Sequence, residues 1–407
     1  MLQTSSPARL DDDASAELMT AIADPSSRPD PYPLYRKLRE RPVWRNEGGA
    51  YVVGRYRDVA SLIGDPRLSS DPANSSQGGA ALSFLNMDPP EHDAVRGFAM
   101  RHFGPPHHAD RLERMTPSLR AMLSSLIDRL NGRSEADIVA EISYPFPGRV
   151  IADLLGVPHE DEEKFCAWAE AIAQATDRDS GYRSEKAERT FHELAGYVFG
   201  LLNRKRGSDS GDLLSCLVNA NGKDGPKLKL DEMIRVSVLL LLAGHETTVN
   251  LISNGVLTLL RLPHVLERLR KEPAIAPYVV EELLRFEPPV HVIFRGTLCD
   301  IDIEGVPIPK GSAVQLVLAS ANRDPVRFPD PDVFDPDRRD NQHFGFGSGI
   351  HSCFGAPLAR LEGRIALSEL ARRLVSPRLA EDPPPYRFNS TLRGPRELRI
   401  AFDGVLP

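Results

Sequence analysis

The chain has 407 residues, with 50 Lys and Arg, 57 Asp and Glu, and a formal net charge of −7. This length permits a large hydrophobic core and excludes a small scaffold that depends on disulfides or metals. The acidic balance disfavours a nucleic-acid or anionic-membrane partner, since both attract clustered Lys and Arg. The four cysteines are widely separated and form no Cys-x-x-Cys pair, which is typical of a protein from a reducing cytoplasm.

The N-terminus does not resemble a signal peptide or a membrane anchor. Asp11, Asp12 and Asp13 stand where a signal peptide requires a positive start, and we expect residues 1–20 to form a flexible acidic leader. The longest apolar run, residues 238–244, is far shorter than the roughly 18 residues that cross a bilayer. We therefore expect a soluble, cytoplasmic protein with no membrane partner, and a monomer.

Helical periodicity dominates the first two hundred residues. Apolar side chains recur at spacings of three and four within residues 34–38, 119–130 and 191–202. The chain shows no repeat of 20–50 residues and no low-complexity linker at which it could be divided. The sequence therefore predicts one domain over residues 1–407, mainly α-helical.

The longest helical candidate covers residues 231–260, about 45 Å at 1.5 Å per residue, and is apolar almost all round. At its centre, residues 243–248 read Ala-Gly-His-Glu-Thr-Thr, and such polar side chains are normally avoided in a core helix. Ala243 and Gly244 leave room for a flat group, and the Thr247 hydroxyl can donate to the carbonyl of Ala243. A packing glycine beside a self-satisfied threonine is an equally good interpretation of this motif alone.

A pair of opposite charges, Glu282 and Arg285, follows at a spacing of three on another predicted helix. Such pairs are usually solvated and contribute little, so by itself this motif is weak.

Strands are predicted only around the helical body. Alternation around residues 304–305 predicts a β-hairpin within 297–316, and residues 50–53 and 397–402 are further short strands. Four prolines exclude regular helix from residues 322–344, and an ordered loop of that length is usually functional. The predicted class is mainly α (α+β), a large helical body with small peripheral β-sheets.

A glycine-rich loop, Phe346-Gly-Ser-Gly-Ile-His-Ser-Cys-Phe-Gly355, precedes the helical stretch 357–374 and contains Cys353. Glycines allow a large flat ligand to approach the backbone, and the N–H groups of Phe354 and Gly355 would stabilise a thiolate at the helix N-terminus. A lone cysteine is by default buried and inert, but this spacing favours a metal-bound sulfur.

These three motifs, in this order and with the proline-rich segment before the cysteine loop, resemble the cytochrome P450 superfamily, specifically its soluble bacterial members. The resemblance implies the cytochrome P450 fold, haem b (iron protoporphyrin IX) as cofactor and O2 as co-substrate. It implies that Cys353 is the thiolate ligand of the haem iron. Glu246 and Thr247 would be catalytic residues on the opposite face, where they bind dioxygen and deliver protons.

The resemblance also implies a set of haem-binding residues and a structural triad. Propionates need cationic or hydrogen-bonding partners, and the matching positions are His92, Arg96, Arg295 and His351. Glu282, Arg285 and Arg338 would form a buried triad that locks the proline-rich segment behind the cysteine loop. The remaining haem contacts would come from the two glycine-bearing motifs: Ala243, Gly244, Phe346, Gly347, Cys353 and Gly355.

The substrate pocket is expected to be largely apolar, which favours a lipophilic small molecule such as a natural product or a steroid. His291 is the candidate polar anchor, and the polar stretch 176–183 is the candidate tip of a flexible lid. The positions that the resemblance places over the haem are Leu82, Phe84, Leu85, Leu239, Ala243, Val290, His291, Val292, Ile293, Phe294, Thr391 and Leu392.

About fifty residues follow Cys353, too few for a fused flavin or iron–sulfur domain of ordinary size. Electrons from NAD(P)H are therefore expected through a separate ferredoxin or flavodoxin with its reductase. Arg101, Arg360 and Arg364 are candidate docking cations, with a merely solvated surface as an equal alternative.

The reaction expected from the resemblance is hydroxylation or epoxidation in secondary metabolism. Oxidative coupling of a phenolic substrate without oxygen insertion, a peroxygenase, and a non-catalytic haem protein are the alternatives. The acid–alcohol pair formed by Glu246 and Thr247 disfavours the last two, because neither requires it.

Overall fold

The structure is a computed structural model of the chain, and it describes residues 13–76, 83–103, 109–175, 185–208, 210–220, 228–389 and 391–407. Helices make up most of these ranges. They are α1 (Asp13–Ala23), α2 (Tyr32–Leu38), α3 (Tyr56–Leu62), α4 (Glu91–Phe103), α5 (Ala109–Asp128), α6 (Pro145–Leu155), α7 (Glu162–Ala175), α8 (Glu185–Lys205), α9 (Leu213–Ala220), α10 (Leu230–Arg261), α11 (Pro263–Lys271), α12 (Ala276–Phe286), α13 (Leu318–Ala321) and α14 (Ala356–Arg373).

Short strands form small sheets beside the helices. They are β1 (Trp44–Arg45), β2 (Tyr51–Val53), β3 (Leu68–Ser69), β4 (Glu135–Asp137), β5 (Val292–Thr297), β6 (Ile301–Ile303), β7 (Val306–Ile308), β8 (Ala313–Val317), β9 (Leu374–Val375), β10 (Arg378–Leu379), β11 (Arg399–Ala401) and β12 (Gly404–Val405). The largest sheet has the order β1-β2-β8-β5-β3 and is antiparallel except where β2 pairs with β8. A second sheet has the order β10-β11-β4, while β9 pairs with β12 and β6 with β7.

Helix α10 runs through the main hydrophobic core and packs against α6, α7, α8, α12 and α14. The backbone N–H of Lys229 donates to the Glu232 carboxylate at 2.6 Å, which stabilises the first turn of the helix. By length and composition α10 could also cross a membrane, but 78% of its most apolar 18-residue window is buried within the protein. A helix that is apolar all round and covered in this way is a core helix.

The prediction of a flexible leader over residues 1–20 is wrong for its second part. Residues 13–20 lie in α1, and the described ranges begin at residue 13. Leu18 and Met19 are buried in a hydrophobic cluster with Tyr32 and Tyr35 of α2. Burial of these two apolar side chains explains why the segment is folded onto the protein.

The strand predictions are confirmed in outline, but the predicted hairpin is shorter than expected. Residues 50–53 and 397–402 contain β2 and β11. The predicted hairpin within 297–316 is the shorter pair β6–β7, whose turn residues Glu304 and Gly305 have φ of 51° and 84°. Positive φ at both turn positions is typical of a two-residue hairpin, and the flanking residues belong to β5 and β8, which pair with each other.

Candidate active site

The middle of α10 presents a small accessible face. Ala243 is exposed and Gly244 and Thr247 are half-buried, although buried residues surround them along this core helix. The Thr247 hydroxyl donates to the carbonyl oxygen of Ala243 at 2.6 Å, as the sequence predicted. We infer that Ala243 and Thr247 border a cavity, because the residues around them on this core helix are buried.

The presence of a glycine at position 244 has a structural explanation that the sequence did not reveal. A Cβ atom at this position would lie 2.6 Å from Cδ1 of Ile151 on α6. The glycine therefore lets the Ile151 side chain of α6 pack closely on α10, a second reason for a glycine here beside the predicted room for a flat ligand.

The cysteine loop is shaped by two glycines and one backbone hydrogen bond. Gly347 and Gly349 have φ of 65° and 69°, a conformation that favours glycine. The backbone N–H of Cys353 donates to the carbonyl of Phe346 at 2.8 Å, which closes the loop. α14 begins three residues after Cys353.

The side chain of Cys353 is accessible, although surrounding protein atoms dominate the electrostatic environment of its sulfur. Burial raises the pKa of the Cys353 thiol, while hydrogen bonds from the backbone N–H groups of Gly355 and Ala356 act in the opposite direction. The sequence named Phe354 and Gly355 as donors, and the donors are one residue further along. A metal ion bound to the sulfur would supply the positive charge that a thiolate needs in this site.

Four polar side chains collect beside the cysteine loop. The rings of His92 and His351 lie 4.5 Å apart between centroids, and Arg96 donates through Nη2 to the carbonyl of Ser352 at 2.6 Å. Arg295 on β5 donates through Nη1 to the carbonyl of Phe294 at 2.8 Å. Nε2 of His92 and Nδ1 of His351 are buried and have no hydrogen-bond partner in the described ranges.

The electrostatics of this group favour an anion. Burial lowers the pKa of Arg295 to about 10, and Asp88 opposes that shift only in part. Burial, followed by the positive charges of Arg295 and His92, lowers the pKa of His351 to about 4. Buried donors without an acceptor and a buried guanidinium without a paired carboxylate are what a carboxylate ligand would satisfy. The residues present therefore fit the two propionates of the haem that the resemblance implies.

Glu282 and Arg285 form a fully buried ion pair. Nη2 and Nε of Arg285 donate to the two carboxylate oxygens of Glu282 at 2.6 and 2.8 Å. The remaining N–H groups of Arg285 donate to the carbonyls of Pro331 and Val333 in the proline-rich segment at 2.8 and 3.0 Å. Arg338 reaches Glu282 with Nε at 3.4 Å. The structure thus brings together the three residues of the predicted triad.

Glu246 has a partner that the sequence did not suggest. Nη1 of Arg387 lies 2.6 Å from Oε1 of Glu246, and their side chains are 19% and 7% exposed. The two residues are 141 positions apart. Pairing across that distance leaves no local pattern, so the motif around Glu246 could not have indicated Arg387.

The predicted pocket residues differ in how much of each side chain is accessible. Leu85 is 47% exposed, and Val290, residues 292–294, Thr391 and Leu392 are half-buried. Leu239 is buried, and Leu82 lies outside the described residues. Leu239 therefore has little surface to offer a substrate.

Phe84 lies against the cysteine loop. It is 3% exposed, and its ring packs against Phe354 at 5.4 Å between centroids, with Arg96 5.7 Å above its face. This packing covers most of the Phe84 side chain, and its contribution to the substrate pocket stays a prediction.

His291 is fully buried, and its ring packs beside Tyr32 and Tyr35. Its Nδ1 is hydrogen-bonded to the Tyr35 hydroxyl at 3.0 Å, and its Nε2 has no partner in the described ranges. Burial, followed by the positive charge of Arg393, lowers the pKa of His291, so the ring is neutral at pH 7. Only Nε2 is left to meet a ligand.

The three candidate docking cations differ in their contacts. Arg360 forms a two-point ion pair with Glu281 at 2.6 and 3.0 Å and lies 4.5 Å above the ring of Phe346. It therefore holds the cysteine loop to α12, and it is not a free surface charge. Arg101 packs over Phe98, and Arg364 donates to the carbonyl of Arg360 at 3.1 Å. The predicted lid tip, residues 176–183, lies outside the described residues.

Comparison with known proteins places this site in a family. The sequence profile described as Cytochrome P450 matches residues 51–402. Cytochrome P450 monooxygenase PikC of Streptomyces venezuelae is 39% identical, over 92% of this chain and 91% of that protein. Vitamin D(3) 25-hydroxylase of Pseudonocardia autotrophica is 37% identical, over 90% of this chain and 92% of that protein. The solved structure of cytochrome P450 CYP109Q5 from Chondromyces apiculatus superposes with a TM-score of 0.86 at 34% identity, covering 94% of this chain and 98% of that chain. The chain therefore belongs to the cytochrome P450 family, among its bacterial members.

Proposed function

We propose that the protein is a haem-thiolate monooxygenase that uses O2 to hydroxylate or epoxidise a lipophilic small molecule. The observation that carries the proposal is the cysteine loop with its neighbours: the accessible sulfur of Cys353 lies next to buried donors that lack an anionic partner. When bound, haem supplies the activation of dioxygen and the transfer of one oxygen atom.

The residues of this chain then have separate tasks. Cys353 would ligate the iron, and His92, Arg96, Arg295 and His351 would bind the propionates. The triad of Glu282, Arg285 and Arg338 would fix the loop that carries the sulfur. Haem retention would therefore depend on parts of the chain that are distant in sequence.

Glu246 and Thr247 would supply protons on the α10 side. The Thr247 hydroxyl is close to the accessible face of Ala243, to whose carbonyl it donates. A carboxylate one residue earlier can exchange protons with solvent and with that hydroxyl through intervening water. We assign Thr247 to hold the last proton donor and Glu246 to replenish it.

The substrate would be a lipophile. The half-buried pocket residues are Val290, Val292, Ile293, Phe294 and Leu392, all apolar, with Thr391 among them, and apolar walls with few polar groups are typical of such sites. One relative is named for hydroxylating vitamin D(3), and another is named a monooxygenase. These names favour oxygen insertion over the oxidative coupling of a phenol.

Membership of the bacterial cytochrome P450 family supports a proposal for the cellular setting. We place the enzyme in the cytoplasm of a bacterium, in secondary metabolism, with NAD(P)H as the electron source through a ferredoxin or flavodoxin and its reductase. Arg101 and Arg364 remain the candidate cations for an acidic redox partner.

The first test is the absorption spectrum of the purified protein after reduction with dithionite and exposure to carbon monoxide. A strongly red-shifted Soret band in the wild type that is lost in Cys353→Ser supports thiolate ligation by Cys353. A band typical of a neutral ligand, or no haem at all, contradicts the proposal. Turnover under 18O2 with a surrogate ferredoxin and reductase then tests oxygen insertion, since product without the label would exclude a monooxygenase.

A further inference from the structure

The core helix α10 carries a polar stripe that the proposed chemistry uses only at one end. Glu246, Asn250 and Asn254 follow one another at intervals of four, and all three are buried. Residues four apart lie on the same face of a helix. Buried polar side chains are costly unless they have hydrogen-bonding partners. The segment that covers this stripe must therefore supply those partners.

That cover is formed by residues 386–389 and 391–395, two arms that pair with each other. Tyr386 pairs with Pro395 in an antiparallel bridge, and the backbone N–H of Arg387 donates to the carbonyl of Gly394 at 3.3 Å. We call these two arms, residues 386–389 and 391–395, the C-terminal hairpin. Its two arms are thus held side by side before they reach α10.

Each residue of the polar stripe contacts the C-terminal hairpin. Arg387 pairs with Glu246 at 2.6 Å, and Asn254 donates to the carbonyl of Arg393 at 3.0 Å. Between them, a Cβ at Gly394 would clash with the side chain of Asn250, so the hairpin backbone lies directly on that amide. The hairpin is therefore docked on α10 along three successive turns.

Resting on the proposed function, we propose that Arg387 is a positioning residue, which holds the Glu246 carboxylate in the orientation needed to pass protons towards Thr247. The guanidinium is more exposed than the carboxylate that it binds, so it links Glu246 with the surface of the protein. A charge-assisted hydrogen bond to one carboxylate oxygen restricts the rotation of the group and favours one orientation of its second oxygen. The C-terminal hairpin, through Arg387, thereby sets the orientation of the Glu246 carboxylate.

The hairpin also carries Thr391 and Leu392, which are candidate pocket residues at the start of its second arm. The Asn389 side chain, two residues after Arg387, accepts hydrogen bonds from the backbone N–H groups of Thr391 and Leu392 at 2.9 and 2.7 Å, which ties these two residues to the arm that carries Arg387. A substrate that contacts Thr391 or Leu392 therefore acts on the same element that positions Glu246. This arrangement gives the oxidation a route by which substrate binding can influence proton supply.

A double-mutant cycle on thermal unfolding tests the ion pair without turnover. Arg387→Met should lower the unfolding midpoint of the holoenzyme by about 3 to 6 °C, since it removes a cation that pairs with a buried carboxylate. In the Glu246→Gln background the same change should cost less than about 2 °C. Equal losses in both backgrounds would overturn the proposal, because the arginine would then act independently of Glu246. Arg396→Met, an exposed arginine directly after the hairpin, is the matched control.

The positioning role is tested by the yield of product per electron pair consumed. Arg387→Met should divert reducing equivalents to hydrogen peroxide and lower product formation about ten- to a hundredfold relative to Arg396→Met. Arg387→Lys should recover most of the yield, because a single ammonium can replace the one contact that Arg387 makes with Glu246. Unchanged product yield in Arg387→Met, or a lysine variant as poor as the methionine variant, would contradict the proposal. The carbon monoxide spectrum shows independently whether the protein is a haem-thiolate enzyme, so a failure of the proposed function can be told from a failure of this inference. The double-mutant cycle on thermal unfolding needs neither substrate nor electron donor.

Discussion

The side-chain oxygen of Asn322 accepts a hydrogen bond from the backbone N–H of Phe344 at 2.7 Å. The two residues are the ends of the proline-rich segment, so this one bond closes a loop that has no helix or strand of its own. Asn322 is fully buried, and its Nδ2 lies 3.4 Å from the carbonyl of Leu284 on α12. The segment is therefore fixed to the helix that carries Glu282 and Arg285.

We expect Asn322→Ala to lower the free energy of unfolding by about 1 to 3 kcal/mol, because the buried N–H of Phe344 loses its acceptor. Urea unfolding followed by circular dichroism measures the change. Asn131→Ala, at an exposed turn, is the control and should change the stability by less than about 0.5 kcal/mol. A loss at Asn322 no larger than at Asn131 would show that the bond does not hold the loop.

Glu282→Ala should be far more harmful, since it leaves the buried guanidinium of Arg285 without a counter-charge. Breaking a buried pair in this way costs about 3 to 5 kcal/mol, and we expect the variant to lose most of its haem. Haem content per protein and the unfolding midpoint measure both effects.

Glu267→Ala is the matched control for Glu282. Glu267 pairs with Arg270 at the same spacing of three, but the pair is on the surface. Such pairs contribute about 0 to 1 kcal/mol. If the two variants retained haem and stability equally, the buried triad would have no special role.

The stability of the protein should depend on pH through Glu281. Burial alone would raise the pKa of this carboxyl, but hydrogen bonds from His343 and Arg360 prevail and lower it from 4.5 to about 2. A carboxyl whose folded pKa is depressed stabilises the fold above its unfolded pKa, and that contribution is lost as the pH falls through the folded pKa. We expect it in full above about pH 5 and gone near pH 2.

Unfolding of the wild type and Glu281→Gln at a series of pH values between 6 and 2 measures this dependence. The variant should lose less stability than the wild type over that range. Glu17→Gln, at an exposed position of α1, is the control and should follow the wild-type curve. Parallel curves for the wild type and Glu281→Gln would contradict the assignment.

Gly244→Ala tests why the central motif of α10 contains a glycine. The new methyl group would clash with Ile151, and we expect a loss of about 1 to 3 kcal/mol despite the better helix propensity of alanine. In an Ile151→Ala background the same substitution should cost less or should stabilise. An equal cost in both backgrounds would mean that Ile151 is not the reason for the glycine.

Thr247→Ala should reduce product formation without unfolding the protein. We expect product per electron pair to fall about tenfold or more, because a proton donor beside the cavity is removed. Ser253→Ala is a matched control: its hydroxyl makes the same bond four residues back, to Val249 at 2.8 Å, but further along α10. A variant at Thr247 that kept the yield of the Ser253 variant would exclude a role in proton supply.

The features that were predictable from the sequence are those encoded over short stretches. The core helix, the proline-rich segment and the glycine loop each follow from the composition of a continuous run, and the structure contains all three. The family resemblance also selected Arg338, which lies 3.4 Å from Glu282.

The contacts that were not predictable join distant parts of the chain. Arg387 meets Glu246 across 141 residues, and Tyr35 meets His291 across 256. Ile151 explains Gly244 from another helix. Such contacts depend on how helices and loops pack, and no periodicity within either partner indicates them. Phe84 shows the converse, since an apolar side chain near a pocket can equally pack on the neighbouring loop.

The polar groups beside Cys353 belong to α4, β5 and the loop before α14, which are three separate parts of the chain. Arg96 and Arg295 are half-buried cations close to His351, and burial lowers the pKa of each, so without an anion beside them their charges oppose folding. A ligand that neutralises them binds the folded state and not the unfolded chain, so it stabilises the protein in proportion to its concentration and affinity. Folding and cofactor loading are therefore one coupled equilibrium, and a cell short of haem would accumulate a less stable chain.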